Sequence, residues 1–369
     1  MTPTLEIIII GCLVASAAAI PGTFLILRQV AMLSDAISHA VLLGIVIMFL
    51  IVKNLHSPLL MIAATITGLI TVAITEWFIH SKKMKKDAAI GLVFPVFFAL
   101  AIILINLKAS NIHLDQDAVL LGEIAFAPFN RFVIRNIDLG PIGLWVMGII
   151  LIINCLFTKI FYKELKLSTF DQQLAKSLGF KPLFIHYGLM TCVSFTTVGA
   201  FDIVGAILIV ALIITPPATA YLLTKKVSHM LLLSILIGCA STISGYFLAQ
   251  MINGSIAGAM CTMAGVIFII TLFFSPRTGL LHQFYTHKKQ KTEFSAALLM
   301  VQLYDHEDSK EVIFESSYTN IIDHMKWKEN HAKKTLTYAI SHKMIISKNQ
   351  YYELTNFGRE IAKASIERT

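Results

Sequence analysis

From Leu5 to about Ser275 long apolar runs follow one another with short polar interruptions; from His282 to Thr369 the apolar positions thin to the spacing of ordinary soluble helices and strands. A helix needs roughly 20 predominantly apolar residues to cross a hydrocarbon core about 30 Å thick. Runs over 5–27, 31–52, 58–80, 88–107, 140–162, 183–200, 203–224, 228–251 and 255–274 meet or approach that length. The pattern predicts an all-α polytopic membrane domain of about nine transmembrane helices over 1–281. A linker over 282–294 and a small α+β domain over 295–369 follow. Between spans, 108–139 is partly apolar, broken at Pro128 and expected to dip back into the protein, while 163–182 is polar with helical spacing. Pro216 and Pro217 are expected to break or kink the seventh span.

Composition agrees with a membrane body. Hydrophobic residues make up 56% of the chain and charged residues 14%, too little charge to cover a soluble protein of this size. The net charge of +8 gathers beside short loops, at Arg28, Lys82 to Lys86, Lys159, Lys163, Lys166, Lys225, Lys226 and Arg277. With alternating spans these fall on one side, which the positive-inside rule makes cytoplasmic. Nine spans then put the N-terminus outside and the C-terminal domain inside, and the run 5–27 reads as a retained first span rather than a cleaved signal. Cys12, Cys155, Cys192, Cys239 and Cys261 are scattered through apolar runs without metal-type spacing, as small buried side chains are.

The chemistry concentrates in Ser34-Asp35-Ala36-Ile37-Ser38-His39-Ala40, inside the second span. Positions i and i+4 share a helix face, so Asp35 and His39 project together with Ser38 beside them. Ionisable groups within a bilayer are costly and face a pathway or a partner. Carboxylate oxygen with imidazole nitrogen suits Mn, Zn or Fe(II). Two other readings fit the same residues: Asp35 paired with Arg28 about two turns earlier, or a proton relay.

The stretch Gly22 to Arg28, followed by Ser34 to Ala40 and Gly44, resembles the permeases of bacterial manganese, zinc and iron ABC importers. Asp87 to Gly91, Asp171 to Gly179, Gly205 to Ala220 and Ser275 to Leu281 match the same family in the same order. The resemblance covers about residues 5–281. It implies a type II ABC importer-like fold in a bacterial cell membrane and a metal path carried by Asp35 and His39. It also implies three partners: an ABC ATPase subunit, an extracytoplasmic metal-binding protein and a second permease chain, identical or different. Leu43 departs from the family, many of whose members have proline there, and that leaves the local helix geometry open.

On its own spacing, Phe170 to Gly179 is a short amphipathic helix with Phe170, Leu174 and Leu178 on one face, Asp171 near its start and Gly179 at its end. The resemblance makes it the helix that docks on the ATPase, with Asp171, Leu174, Ala175, Leu178 and Gly179 as its site residues. The chain contains no phosphate-binding P-loop, so the chain is not an enzyme and ATP hydrolysis belongs to a separate subunit. His113, Asp115 and Asp117, at alternate positions of the external loop, are secondary metal candidates; a solvated loop explains them equally. Glu76, His186 and Asp202 lie near span ends and receive no role.

In the C-terminal part, helices over about 295–306, 318–326 and 330–342 precede strands at 344–347 and 351–354 and a last helix capped by Thr355. This order resembles a winged helix of the metal-dependent repressor type. From His282 onward thirteen basic residues face eleven acidic ones. That balance is thin for a nucleic-acid binder, although the presumed recognition helix carries His331, Lys333, Lys334 and Lys343. A regulatory or docking module is the expectation. The whole reads as a permease importing a divalent metal ion (Mn, Zn or Fe), with no bound cofactor. A proton-coupled secondary transporter and a membrane-tethered metal-responsive regulator are the alternatives.

Overall fold

The computed structural model describes the chain apart from Met1 and residues 55–56, 82–83, 109–123, 135–136, 277–278, 308–311, 349–350 and 368–369. It divides into two compact units, Met1–Thr278 and Gly279–Thr369. The secondary metal candidates His113, Asp115 and Asp117 lie outside the described residues.

The first unit contains α1 (Pro3–Leu27), α2 (Met32–Val52), α3 (Pro58–His80) and α4 (Lys86–Lys108). A 3-10 turn, Ile124–Phe129, and a hairpin, β1 (Arg131–Ile134) with β2 (Ile137–Pro141), come next. Then follow α5 (Ile142–Ile160), α6 (Tyr162–Phe170), α7 (Gln172–Ser177), α8 (Pro182–Leu223), α9 (Val227–Ile252) and α10 (Ile256–Phe274). Among the described residues eight helices are long and apolar enough to cross a membrane, against the nine spans expected. The difference lies in α8, which joins the expected sixth and seventh spans into 42 residues.

A straight helix of that length extends about 63 Å at 1.5 Å per residue, roughly twice the hydrocarbon thickness. α8 is not straight. Gly205 sits at φ 80°, ψ 165° and interrupts the helical backbone, a conformation that a residue lacking Cβ adopts without penalty. The break is therefore at Gly205, not at Pro216 and Pro217, which lie in helical backbone. What the prolines do instead is strip donors from the helix. Pro217 has no N–H for the carbonyl of Ile213, and that carbonyl oxygen faces α1, where a Cβ built on Gly22 would lie only 2.1 Å away.

α1 and α8 form the centre of this unit, with Phe24, Leu25, Ile37, Leu208, Ile209 and Leu212 buried. Asn154 of α5 ties the two together, donating to the Ala17 carbonyl at 2.9 Å and to Thr196 Oγ1 at 2.7 Å. Such bonds hold transmembrane helices where lipid supplies no hydrophobic drive. The outward faces of α4, α5 and α10 expose Leu100, Ile103, Leu107, Ile149, Ile152, Ile269 and Ile270, as a chain solvated by hydrocarbon requires. Cys155 is exposed on α5, whereas Cys192 is buried as expected. The segment expected to dip back meets the body through Ile124 and Pro128, both buried. Arg131 of β1 holds it there, 3.5 Å from the buried Glu6 of α1 and 2.5 Å from Asp138.

In the second unit α11 (Leu280–Asp305), α12 (Val312–Glu315), α13 (Tyr318–Met325) and α14 (Glu329–Ser341) precede the antiparallel pair β3 (Ile345–Lys348) and β4 (Tyr351–Leu354), and α15 (Asn356–Ile366) ends it. Residues 282–294 are not a separate linker; they belong to α11, which runs on without a break to Asp305. Leu299, Met300, Leu303, Ile321, Leu336, Ala339, Ile345, Leu354 and Ala362 form one core. Thr355 caps α15 by accepting from the Gly358 N–H at 3.1 Å, and its hydroxyl lies 3.0 Å from the Met344 carbonyl. Two of the four basic residues expected on α14 are placed otherwise. His331 is turned toward Ser295 of α11, with Nε2 2.9 Å from its Oγ, and Lys343 lies beyond the end of the helix. Lys333 and Lys334 are exposed and, with Lys288 and Lys289 of α11, line an open cleft.

Candidate metal path and coupling segment

α1 ends at Arg28, and the chain reverses within three residues. Gln29 takes a left-handed conformation, its N–H bonds the Ile26 carbonyl, and the Val30 N–H bonds that of Leu25. This is the Schellman closure of a helix end. α2 starts at Met32, so Asp35 falls in its first turn and His39 one turn on. α2 runs unbroken through Leu43, where the family resemblance had left the geometry open.

Asp35 Oδ1 lies 3.5 Å from His39 Nε2, and each side chain keeps about a third of its surface exposed (33% and 30%). The separation has a chemical meaning. Two ligand atoms about 2.0–2.2 Å from one cation at a tetrahedral angle stand roughly 3.3–3.6 Å apart. The pair is thus spaced to chelate a divalent ion without changing the helix. Two aromatic rings of α4 hold the imidazole: Phe94 stacks on it with centroids 5.6 Å apart, and Phe98 meets it edge-on at 5.7 Å. Ser38, expected beside the pair, is instead buried and donates to the Ser34 carbonyl. No third His, Cys, Asp or Glu joins a metal-holding group among the described residues. Asp35 and His39 are thus the two candidate ligands that the described residues bring together.

The alternative pairing of Asp35 with Arg28 is not made. Arg28 donates to Ser168 Oγ at 3.0 Å and Thr169 Oγ1 at 3.1 Å, both on α6, and its Nη1 lies 2.9 Å from His186 Nδ1 on α8. Burial pushes the guanidinium down to about 10, partly opposed by the charge of Glu76, so it stays charged at neutral pH.

The segment expected as one amphipathic helix over 170–179 is divided. Phe170 ends α6, and Asp171 caps α7 by accepting from the N–H groups of Gln173 (3.0 Å) and Leu174 (2.9 Å). Gly179, at φ 84°, follows its end, with the Phe180 N–H closing on the Ala175 carbonyl. Ala175 is buried, while Phe170, Leu174 and Leu178 are all exposed, from 46% to 62%. Three large apolar side chains thus stand uncovered on and beside α7.

Sequence reasoning missed Phe94 and Phe98, whose signal was an aromatic pair at i and i+4 in the span next to the Asp–His helix. It also left Arg28, Glu76 and His186 unconnected, because nothing in the spacing joins positions so far apart in the chain.

Residues 2–275 match the ABC 3 transport family. Over 364 residues, 99% of each chain, the sequence is 43% identical to the zinc transport system membrane protein TroD of Treponema pallidum. It is 46% identical over 275 residues to the manganese transport system membrane protein MntD of Bacillus subtilis, covering 74% of this chain and 93% of that protein. Among solved structures, PsaBC from Streptococcus pneumoniae in complex with Fab superimposes with a TM-score of 0.63 at 30% identity, covering 78% of this chain and 96% of that one. With a match from residue 2 to residue 275 and relatives above 40% identity, the chain belongs to the ABC 3 transport family.

Proposed function

We propose that this chain is the membrane permease subunit of an ATP-driven ABC importer that brings a divalent metal ion (Mn, Zn or Fe) into a bacterial cell. The observation that carries the reading is the Asp35–His39 pair, spaced for chelation on a helix of a family whose relatives are named as zinc and manganese transport proteins. Two protein ligands per chain bind weakly, which suits an ion that must leave again. A second permease chain at the same path supplies further ligands. Metal arrives outside from a binding protein, past the loop bearing His113, Asp115 and Asp117. On the cytoplasmic side an ABC ATPase subunit covers Phe170, Leu174 and Leu178 and drives the α7 segment from Asp171 to Gly179. ATP-dependent uptake of radioactive manganese or zinc by proteoliposomes holding the assembled complex tests this reading. Uptake that needs a proton gradient and no ATPase subunit would favour a secondary transporter.

The second unit is a cytoplasmic, winged-helix-like module that regulates or docks beside the ATPase. The Bacillus relative is covered over 93% of its length by 74% of this chain, leaving no room for such a module, whereas the Treponema relative matches end to end. The module is accordingly an accessory to transport. With His331 and Lys343 off the exposed face of α14, its surface is a poorer match for DNA than the sequence implied. A DNA shift by the full chain in detergent at moderate salt would reverse that assignment.

A further inference from the structure

We propose that Arg28 is the positioning residue that carries movement of the coupling segment to the metal-path helix, through a half-buried cluster of Ser168, Thr169, His186 and Glu76. The inference rests on the permease reading above and adds a transmission route to it.

The cluster joins four elements at one point. Arg28 closes α1; Ser168 and Thr169 lie on the last turn of α6, directly before the Asp171 cap of α7; His186 is in the first turns of α8; Glu76 is near the end of α3. The three nitrogens of one guanidinium reach α6 twice and α8 once, at 2.9–3.1 Å. The acceptor geometry is consistent throughout. Thr169 Oγ1 donates to the Leu165 carbonyl at 2.6 Å and Ser168 Oγ to the same carbonyl at 3.3 Å, which leaves their lone pairs for Arg28. Since Arg28 donates to His186 Nδ1, the ring proton sits on Nε2, which faces Glu76 Oε1 at 2.5 Å. That contact is short but off the line of the ring N–H, so it is an electrostatic clasp more than a straight hydrogen bond. Glu76 supplies the negative charge that a buried guanidinium needs.

Position explains what the cluster does. From Arg28 the chain passes through a closed turn into α2, and Asp35 is seven residues away. In the other direction Thr169 is two residues from the cap of the segment that presents Leu174 and Leu178. A push on α7 therefore reaches the start of α2 through one guanidinium held at three points and one hydrogen-bonded turn. Lysine does not replace arginine here, because a single ammonium cannot hold three separated acceptors in one plane.

The test uses the full complex of permease, ATPase subunit and binding protein in proteoliposomes, measuring radioactive manganese or zinc accumulated per ATP hydrolysed. Variants are Arg28→Lys, the paired Ser168→Ala with Thr169→Val, His186→Ala and His186→Gln. The S168A/T169V pair leaves the Arg28–His186 contact in place, and a thermal midpoint in detergent, measured for every variant, separates unfolding from uncoupling. The expected result is near-normal ATP hydrolysis with metal per ATP lowered roughly 2- to 30-fold, and partial recovery in His186→Gln, whose amide retains an acceptor and a donor. A wild-type ratio in all four variants overturns the proposal. So does a proportional fall of hydrolysis and transport together, the mark of a merely structural role. A wild-type complex that hydrolyses ATP but moves none of manganese, zinc and iron overturns the permease reading itself, separately from this inference.

Discussion

The carbonyl oxygen of Ile213 rests against the α-carbon side of Gly22, so close that a Cβ there would stand 2.1 Å from it. Two features produce the contact: a residue without a side chain on α1, and a proline at 217 that leaves the carbonyl without its helical donor. Both neighbours are backbone and neither yields easily. Gly22→Ala is expected to destabilise the permease by about 1–3 kcal/mol through overpacking. A lowered thermal midpoint in detergent, with Gly265→Ala as a control where a Cβ meets nothing within 4 Å, checks it.

The imidazole of His39 takes its orientation from Phe94 and Phe98. Aromatic contacts of this kind contribute about 0.5–1.5 kcal/mol beyond area, so Phe94→Leu should raise the metal concentration for half-maximal uptake roughly 2- to 10-fold. Maximal uptake should fall less. An unchanged half-saturation with a reduced maximum would mean that the rings serve packing alone.

Asp171→Ala removes the acceptor for two N–H groups at the start of α7 and should weaken that turn by about 1 kcal/mol. Leu174→Asp instead puts a charge on the uncovered apolar face. We expect both to reduce co-purification of the ATPase subunit, Leu174→Asp more severely, while the permease retains its thermal midpoint. Full recovery of the ATPase with Leu174→Asp would place the docking surface elsewhere.

In the second unit, burial first, and then the charges of Lys291 and Lys334, hold His331 below its ordinary value of 6.5. The unfolded chain then binds a proton that the folded unit resists. Stability from this group is full above about pH 6.5 and is lost as pH falls toward and through the lower folded value. Protection of the amides over 329–341 in the full chain, after correction for the intrinsic slowing of exchange at lower pH, should fall between pH 7 and pH 5, and His331→Gln should remove the fall.

Much of this was legible in the order of residues, for identifiable reasons. Apolar runs located the membrane-length apolar helices because hydrocarbon tolerates few polar side chains, and helical spacing placed Asp35 with His39 without reference to any tertiary contact. What failed was non-local. Proline was expected to mark the break in α8, yet helical backbone accommodates Pro216 and Pro217 against Gly22, and the break went to Gly205, the residue able to take positive φ. Residues 282–294 looked like a linker because they are polar, and polarity does not separate a loop from an exposed helix. Arg28, seven residues from Asp35, is an alternative partner for it by spacing; its bonds lie instead with residues about 140 to 160 positions away.

The most direct measurement is ATP-driven uptake of radioactive manganese or zinc by the wild type, Asp35→Ala and His39→Ala at matched expression. With the two candidate ligand atoms 3.5 Å apart and no third such side chain grouped with them among the described residues, loss of either should abolish most transport. ATP hydrolysis by the complex should persist. Near-wild-type uptake by both variants would show that metal crosses elsewhere.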